Sequence, residues 1–237
     1  MCCKIQWLGQ GGYLLESKKT RLCIDPYLSN SVAKLERPFE RLVPILIPPQ
    51  NLACDAVLCT HDHADHLDPE TIGNTRHDNK LFIGPDSCVH HFRSLGVPEM
   101  QIRRLNCGQT MILGDMGIKA VFAMHTADSI GIVVSLGDLR IYFTGDTLYC
   151  DELIKVSCDI LVICINGKLG NMNDMEAVKV AKGISPRIVI PAHYGMFKEN
   201  TADPSVFCRS MHTEGIHCFM FGYGDTIDLD DILRGKD

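Results

Sequence analysis

Residues 61–66 read His-Asp-His-Ala-Asp-His and follow directly on a short apolar run. Three imidazoles and a metal-binding carboxylate in six positions would repel one another on protonation unless a cation organised them. In an extended or turning loop, His61 and His63 can project toward one ion while Asp65 and His66 reach a second ion. The cluster therefore predicts a site for two metal ions. The alternative is a polar surface loop whose histidines bind nothing.

The longer run Thr-His-Asp-His-Ala-Asp-His, with the apolar strand before it, resembles the H-x-H-x-D-H signature of the metallo-β-lactamase superfamily. That resemblance implies a later lone histidine, a Gly-Asp pair and a final histidine at strand ends, all of which the chain contains in this order. It also implies how two ions are held: the first by His61, His63 and His125, the second by Asp65, His66 and His193, with Asp146 as the bridge.

The resemblance covers nearly the whole chain. Within the superfamily, the sequence is similar to one branch in particular, the L-ascorbate-6-phosphate lactonase-like hydrolases. It includes Trp-Leu-Gly-Gln-Gly-Gly-Tyr-Leu-Leu-Glu at 7–16, Phe-Ile-Gly-Pro at 82–85 and Asn-Gly-Lys-Leu-Gly-Asn-Met at 166–172. The implied fold is α+β, an αββα sandwich of two mixed β-sheets with helices on the outer faces. We expect a single domain over residues 1–237.

Hydrophobic runs punctuated by Gly and Pro agree with that fold class. They predict strands at 5–8, 13–16, 21–24, 56–59, 81–83, 111–113, 118–123, 130–136, 140–144, 160–164 and 188–190. Helices are predicted after the Asp68 cap, at 87–95, at 174–182 with a capping box, and after Pro204. The proline-rich segment 31–52 is predicted to be a loop that borders the site.

Composition restricts the partners of this 237-residue chain. The net charge of −6 disfavours a protein that neutralises nucleic-acid phosphates. We find no apolar stretch long enough to span a membrane and no secretion signal, so we expect a cytoplasmic protein. The 12 cysteines are scattered without a C-x-x-C pair, which favours reduced, buried thiols. A homo-oligomer is left open.

Residues beyond the metal ligands are assigned from their position near strand ends. Asn166, Lys168, Asn171 and Tyr194 are predicted to contact the substrate. Lys168 suits a phosphate, although an exposed lysine in a Gly-rich loop is an equally ordinary explanation. Asp25 is predicted to anchor the ligand loop through hydrogen bonds rather than to bind metal.

The resulting hypothesis is hydrolysis of a small ester, lactone or phosphorylated substrate by water whose pKa two metal ions lower to roughly 7. Asp65 and Asp146 would orient that water. Zinc is the default for a histidine-rich site, with manganese or iron left open. The alternatives are a phosphodiesterase or nuclease, which the acidic balance disfavours, and a non-catalytic metal-binding module, which the complete ligand set disfavours.

Overall fold

The computed structural model describes residues 3–35 and 39–235. Its strands, in chain order, are β1 (Lys4–Gly9), β2 (Gly12–Glu16), β3 (Arg21–Ile24), β4 (Ala56–Leu58), β5 (Leu81–Gly84), β6 (Ile102–Arg104), β7 (Thr110–Leu113), β8 (Met116–Phe122), β9 (Ile130–Leu136), β10 (Leu139–Phe143), β11 (Ile160–Cys164), β12 (Ile188–Ala192), β13 (His217–Cys218) and β14 (Thr226–Asp228). Its helices are α1 (Ser31–Leu35), α2 (Pro69–Asn74), α3 (Asp86–Ser94), α4 (Asp174–Ile184), α5 (Pro204–Thr213) and α6 (Leu229–Leu233).

These strands form two mixed sheets. The first has the order β14-β1-β2-β3-β4-β5-β6, antiparallel from β14 to β3 and parallel from β3 to β6. The second has the order β13-β12-β11-β10-β9-β8-β7, parallel from β13 to β10 and antiparallel from β10 to β7. Two mixed sheets confirm the predicted fold class.

The first sheet buries both of its faces. Tyr13 and Leu15 of β2 point into the core between the sheets, whereas Leu14 packs on the opposite side with Val89 and Phe92 of α3. This alternation follows from the two-residue period of a strand. Phe92 is fully buried there, and truncating a buried phenylalanine to alanine costs about 3–5 kcal/mol. One sheet face is therefore held by the other sheet and one by helices.

The second sheet is covered from outside by α4 and α5. Ala177, Val180 and Ala181 of α4 and Phe207 of α5 are fully buried in the same core cluster as strands β11 and β12. Small residues on α4 let its backbone approach the sheet closely, and the large Phe207 ring fills space under α5. Together with α2 and α3 on the other side, these helices complete the layers of the sandwich.

Two helix starts agree with the capping chemistry read from the sequence. Asp68 caps α2, where its side chain accepts a hydrogen bond from the Glu70 amide and Pro69 takes the first helical position. Asn173 and Glu176 form a reciprocal capping box at the start of α4. Both predictions are confirmed.

Several short elements are not visible in the sequence pattern. Helix α1 lies inside the proline-rich segment predicted as a loop, because its five residues precede the first proline of that segment. Strands β6, β13 and β14 have two or three residues, too few to show a period. Helix α6 is similarly short. Within the described ranges, no helix has the length and apolar content needed to cross a membrane.

The expectation that all cysteines are free thiols was wrong for one pair. Cys208 on α5 and Cys218 on β13 form a disulfide, with their Cα atoms 5.2 Å apart. The two residues are only ten positions apart, and helix α5 packs directly against β13. That packing, which no cysteine spacing in the sequence indicates, brings the two sulfur atoms together.

Candidate metal centre

The side chains of metal-ligand type meet at one edge of the sandwich. The loop 61–66 follows β4 of the first sheet, while His125, Asp146 and His193 follow β8, β10 and β12 of the second. These three strands run in the same direction, so their carboxyl ends lie at the same edge. Backbone hydrogen bonds join the sheets there, including one of 3.1 Å from the His193 amide to the Gln10 carbonyl oxygen.

A first ligand group consists of His61, His63 and His125. His63 Nδ1 lies 3.1 Å from His61 Nε2 and 3.0 Å from His125 Nε2. All three ring nitrogens fall within 4.8 Å of one another. His61 is buried, His63 is exposed and His125 is partly exposed. The group therefore has one side open to solvent.

A second ligand group consists of Asp65, His66 and His193. Asp65 Oδ2 lies 3.9 Å from His66 Nε2 and 3.6 Å from His193 Nε2. Asp146 stands between the two groups: its carboxylate oxygens lie 3.2 Å from His66 Nε2, 3.2 Å from His193 Nε2 and 3.8 Å from His125 Nε2. The structure thus brings together all seven side chains named from the sequence.

The carboxylates of Asp65 and Asp146 raise the pKa of the histidine that lies beside both of them. Burial alone would lower the pKa of His193, but Asp146 and Asp65 outweigh it and raise that pKa to about 9. Burial likewise opposes ionisation of Asp146, yet His193 and His66 hold its pKa well below its usual value. In the first group, burial lowers the pKa of His61 well below its usual value. The carboxylates are therefore ionised and His61 is neutral, the forms in which these side chains bind metal, whereas His193 has to lose a proton when it binds a metal ion.

The donor set fits divalent metal ions. Ligand atoms about 2 Å from a tetrahedral ion lie roughly 3.3 Å from one another. The individual distances between ligand atoms given above run from 3.0 to 3.9 Å. His66 Nε2 and Asp146 Oδ1 are buried 3.2 Å apart, but their geometry is not that of a hydrogen bond, and neither has another partner among the described residues. Burying such atoms unpaired is costly unless a cation binds them. Nitrogen and carboxylate donors together suit zinc, and equally admit manganese or iron.

Asp25 holds the second group from behind. It is buried, and its carboxylate accepts 2.7 Å hydrogen bonds from the backbone amide and the hydroxyl of Thr60. The same carboxylate lies 2.8 Å from His66 Nδ1. This contact fixes the ring so that Nε2 points toward Asp146, and it makes the imidazole a better donor. Gly11 permits the arrangement, because a Cβ atom there would lie 2.7 Å from the His66 ring.

Gln10 is a contact of the site that we did not single out in the sequence. Its side chain is fully buried, and Nε2 donates to Asp65 Oδ2 at 2.8 Å and lies 3.1 Å from His193 Nε2. The signal was present in the run 7–16, which carries the family resemblance, but a glutamine between glycines reads as a turn residue. Only the approach of β12 to the β1–β2 turn shows its role.

The backbone is strained at three residues of the site. Gln10, Asp25 and His193 adopt φ values of 53°, 45° and 64°, the left-handed region that side chains other than glycine rarely occupy. Each such residue costs about 1 kcal/mol or more. Strain of this kind persists where the surrounding packing and hydrogen bonds over-determine the geometry, and it is typical of functional sites.

A cavity of about 300 Å³ opens beside the ligand groups. Its described lining consists of three ligand side chains, one amide and five apolar residues: His63, Asp65, Asp146, Asn200, Val32, Phe39, Ala64, Leu169 and Phe197. Asn200 was not predicted from the sequence. It lies in a segment without a metal-ligand motif, and only the fold brings that segment to the cavity.

The four residues predicted to contact the substrate do not line this cavity. Asn166 and Asn171 are buried in the loop after β11, and the Lys168 ammonium group donates to the Glu199 carbonyl oxygen at 2.8 Å. Tyr194 lines a separate cavity, and its hydroxyl donates to the Phe221 carbonyl oxygen at 2.7 Å. Position after a strand end gave the correct edge of the sheet but not the direction of each side chain.

Comparisons with known proteins agree with this fold. The family model for the β-lactamase superfamily domain matches residues 20–194. A metal-dependent hydrolase of Pyrobaculum islandicum is 30% identical over 234 residues, 95% of this chain and 100% of that protein. A metallo hydrolase of Ignicoccus hospitalis has a TM-score of 0.78 at 22% identity, covering 96% of this chain and 98% of that one. An isothiocyanate hydrolase from Delia radicum gut bacteria has a TM-score of 0.79 at 19% identity, covering 95% and 99%. The chain belongs to the metallo-β-lactamase superfamily, among its metal-dependent hydrolases.

Proposed function

We propose that this chain hydrolyses a small ester or lactone at a centre of two divalent metal ions. The observation that carries the proposal is the position of Asp146 between the two ligand groups, because its carboxylate lies within 3.8 Å of His66, His193 and His125. Two metal ions, when bound, supply Lewis acidity that lowers the pKa of water and polarises the scissile carbonyl group.

In this proposal the histidines bind the metal ions, and the two aspartates also orient the attacking water. His61, His63 and His125 supply imidazole nitrogen donors, and His63 also lines the cavity. Asp65 and Asp146, which are ionised and line the cavity, accept hydrogen bonds from the attacking water and aim its lone pair at the acyl carbon. No side-chain nucleophile is needed, since water itself attacks.

The direct test combines metal analysis with turnover. The chain is loaded with zinc, manganese or iron, its metal content per chain is measured, and hydrolysis of ester and lactone panels is followed. We expect two equivalents of metal and turnover that both His193→Ala and Asp65→Ala abolish. His90→Ala changes an exposed histidine of α3 and serves as the matched control. Equal turnover in the parent, His193→Ala and Asp65→Ala proteins would contradict the proposal.

A further inference from the structure

The cavity beside the ligand groups has one wall of metal ligands and one apolar wall. The apolar wall is formed by Val32, Phe39, Ala64, Leu169 and Phe197. The volume of the cavity, about 300 Å³, is at the lower end of the range for small-molecule sites. A ligand there is small and presents a hydrocarbon group to this wall.

The apolar wall is preformed. The Phe197 ring packs between Tyr27 and Phe39, with centroid distances of 5.5 and 5.9 Å. Arg41 donates from Nη1 to the Tyr27 and Ser29 carbonyl oxygens at 2.9 and 3.0 Å and stacks over the Tyr27 ring at 4.9 Å. These contacts bind the segment after β3 to the segment around Arg41. The wall therefore costs little to order when a ligand binds.

Hydrogen bonds determine which end of the Asn200 side-chain amide is the oxygen and which is the nitrogen. Asn166 Nδ2 donates to the Lys168 carbonyl oxygen at 3.2 Å, and this acceptor fixes which end of the Asn166 amide is the nitrogen. The same nitrogen donates to Asn200 Oδ1 at 2.7 Å, so the oxygen of Asn200 faces Asn166. Asn200 is only 5% exposed and lines the cavity. Its amide nitrogen is therefore left as a donor for a ligand.

The charges that line the cavity favour neutral substrates over phosphorylated ones. Among the described residues, the cavity is lined by no lysine or arginine. Lys168 does not line the cavity, and its ammonium group donates to the Glu199 carbonyl oxygen. A phosphate remote from the scissile bond thus lacks a cationic partner here, whereas a neutral acyl chain meets apolar side chains. Burying an unpaired phosphate would cost far more than burying a hydrocarbon group.

We propose that the cavity selects a small neutral ester or lactone, whose hydrocarbon chain packs against Phe39 and Phe197 and whose acceptor oxygen receives a hydrogen bond from Asn200. This inference rests on the proposed function and narrows its substrate class. In the reaction, the oxygen of water forms the new bond to the acyl carbon and the ester C–O bond breaks. One proton of the water ends on the departing alcohol oxygen, so an ester yields a carboxylic acid and an alcohol, and a lactone yields a single hydroxy acid.

The first experiment compares substrates and two variants on the metal-loaded full chain. Neutral short-chain lactones are compared with the same lactones carrying a phosphate. Asn200→Asp replaces the donor by an acceptor of the same shape, so kcat/KM for neutral lactones should fall about 10- to 100-fold. The metal content of both proteins is measured so that turnover is compared at equal loading. Phe39→Arg should raise the relative turnover of the phosphorylated lactone, and Met100→Arg, at an exposed site far along the chain, should not.

A binding measurement separates this inference from the proposed function. The matching unstrained lactam replaces the ester by a less reactive amide. Its affinity for the metal-loaded chain is measured by calorimetry, and its integrity is checked after the titration. Binding that Asn200→Asp weakens supports the substrate class even if no ester is hydrolysed, an outcome that would defeat only the proposed function. Equal or better turnover of phosphorylated lactones by the parent, or lactam affinity unaffected by Asn200→Asp, overturns the inference.

Discussion

The two ligand groups lie on either side of Asp146, yet they are built differently. The first group, His61, His63 and His125, consists only of imidazoles, and His63 is exposed. In the second group, His66 and His193 are buried, and the ligands are held by other polar side chains. We infer that the second group binds its ion more tightly, because its ligands are preorganised and carry a carboxylate of their own.

Removing the shared carboxylate should have the largest effect. Asp146→Ala deprives both groups of their common ligand, so we expect kcat to fall about 1000-fold or more and metal content to drop below two ions per chain. Turnover assays and elemental analysis check this. Asp151→Ala, which loses only an exposed contact with the Tyr149 hydroxyl, is the control. A variant with full metal content and normal turnover would show that Asp146 is not shared.

Removing the metal should lower stability measurably. A ligand present at 100 times its Kd stabilises the folded state by about 2.7 kcal/mol. For a chain of this size, each kcal/mol corresponds to roughly 2–4 °C in Tm. We therefore expect excess chelator to lower Tm by about 5–10 °C, as measured by scanning calorimetry, and added metal to restore it. A Tm insensitive to chelator in a metal-loaded sample would contradict tight binding in the second group.

Loosening the second group alone should test the difference between the groups. Asp25→Asn replaces the carboxylate beside His66 Nδ1 by an amide, so the affinity of the second group for its metal ion should fall about 10- to 100-fold. Affinity at the first group should change little. Titration against a chromophoric chelator resolves the two steps. Ser17→Ala, which removes the hydroxyl hydrogen bonds of a half-buried turn residue, controls for general destabilisation. Equal losses in both steps would mean that the groups are coupled rather than separately supported.

The smallest predicted effect concerns Gln10. Gln10→Ala removes one hydrogen bond to Asp65, and a bond to a charged group contributes about 1.5 kcal/mol or more. We expect the affinity of the second group to fall about tenfold, again measured by chelator competition. Gln6→Ala is the matched control, since Gln6 donates to the Gly224 carbonyl oxygen away from the site. An unchanged affinity would place Gln10 in a purely structural role.

Much of the architecture was predictable because it depends on local patterns. Alternating apolar runs gave most of the long strands, and the chemistry of Asp68 and Asn173 gave two helix starts. The resemblance carried by the loop 61–66 named side chains that are up to 132 positions apart in sequence and converge in the structure. Short strands such as β13 and the disulfide of Cys208 escaped, since neither has a local pattern.

The sequence by itself determined which donors are available, their order along the chain and the strand ends that carry them. Tertiary structure alone decided which way each side chain points. It turned Tyr194 toward a second cavity, brought Gln10 between Asp65 and His193, and placed Asn200 on the cavity wall. The physical reason is that ligand type and strand period are properties of neighbouring residues, whereas side-chain direction at a loop depends on segments that meet only when the two sheets pack together.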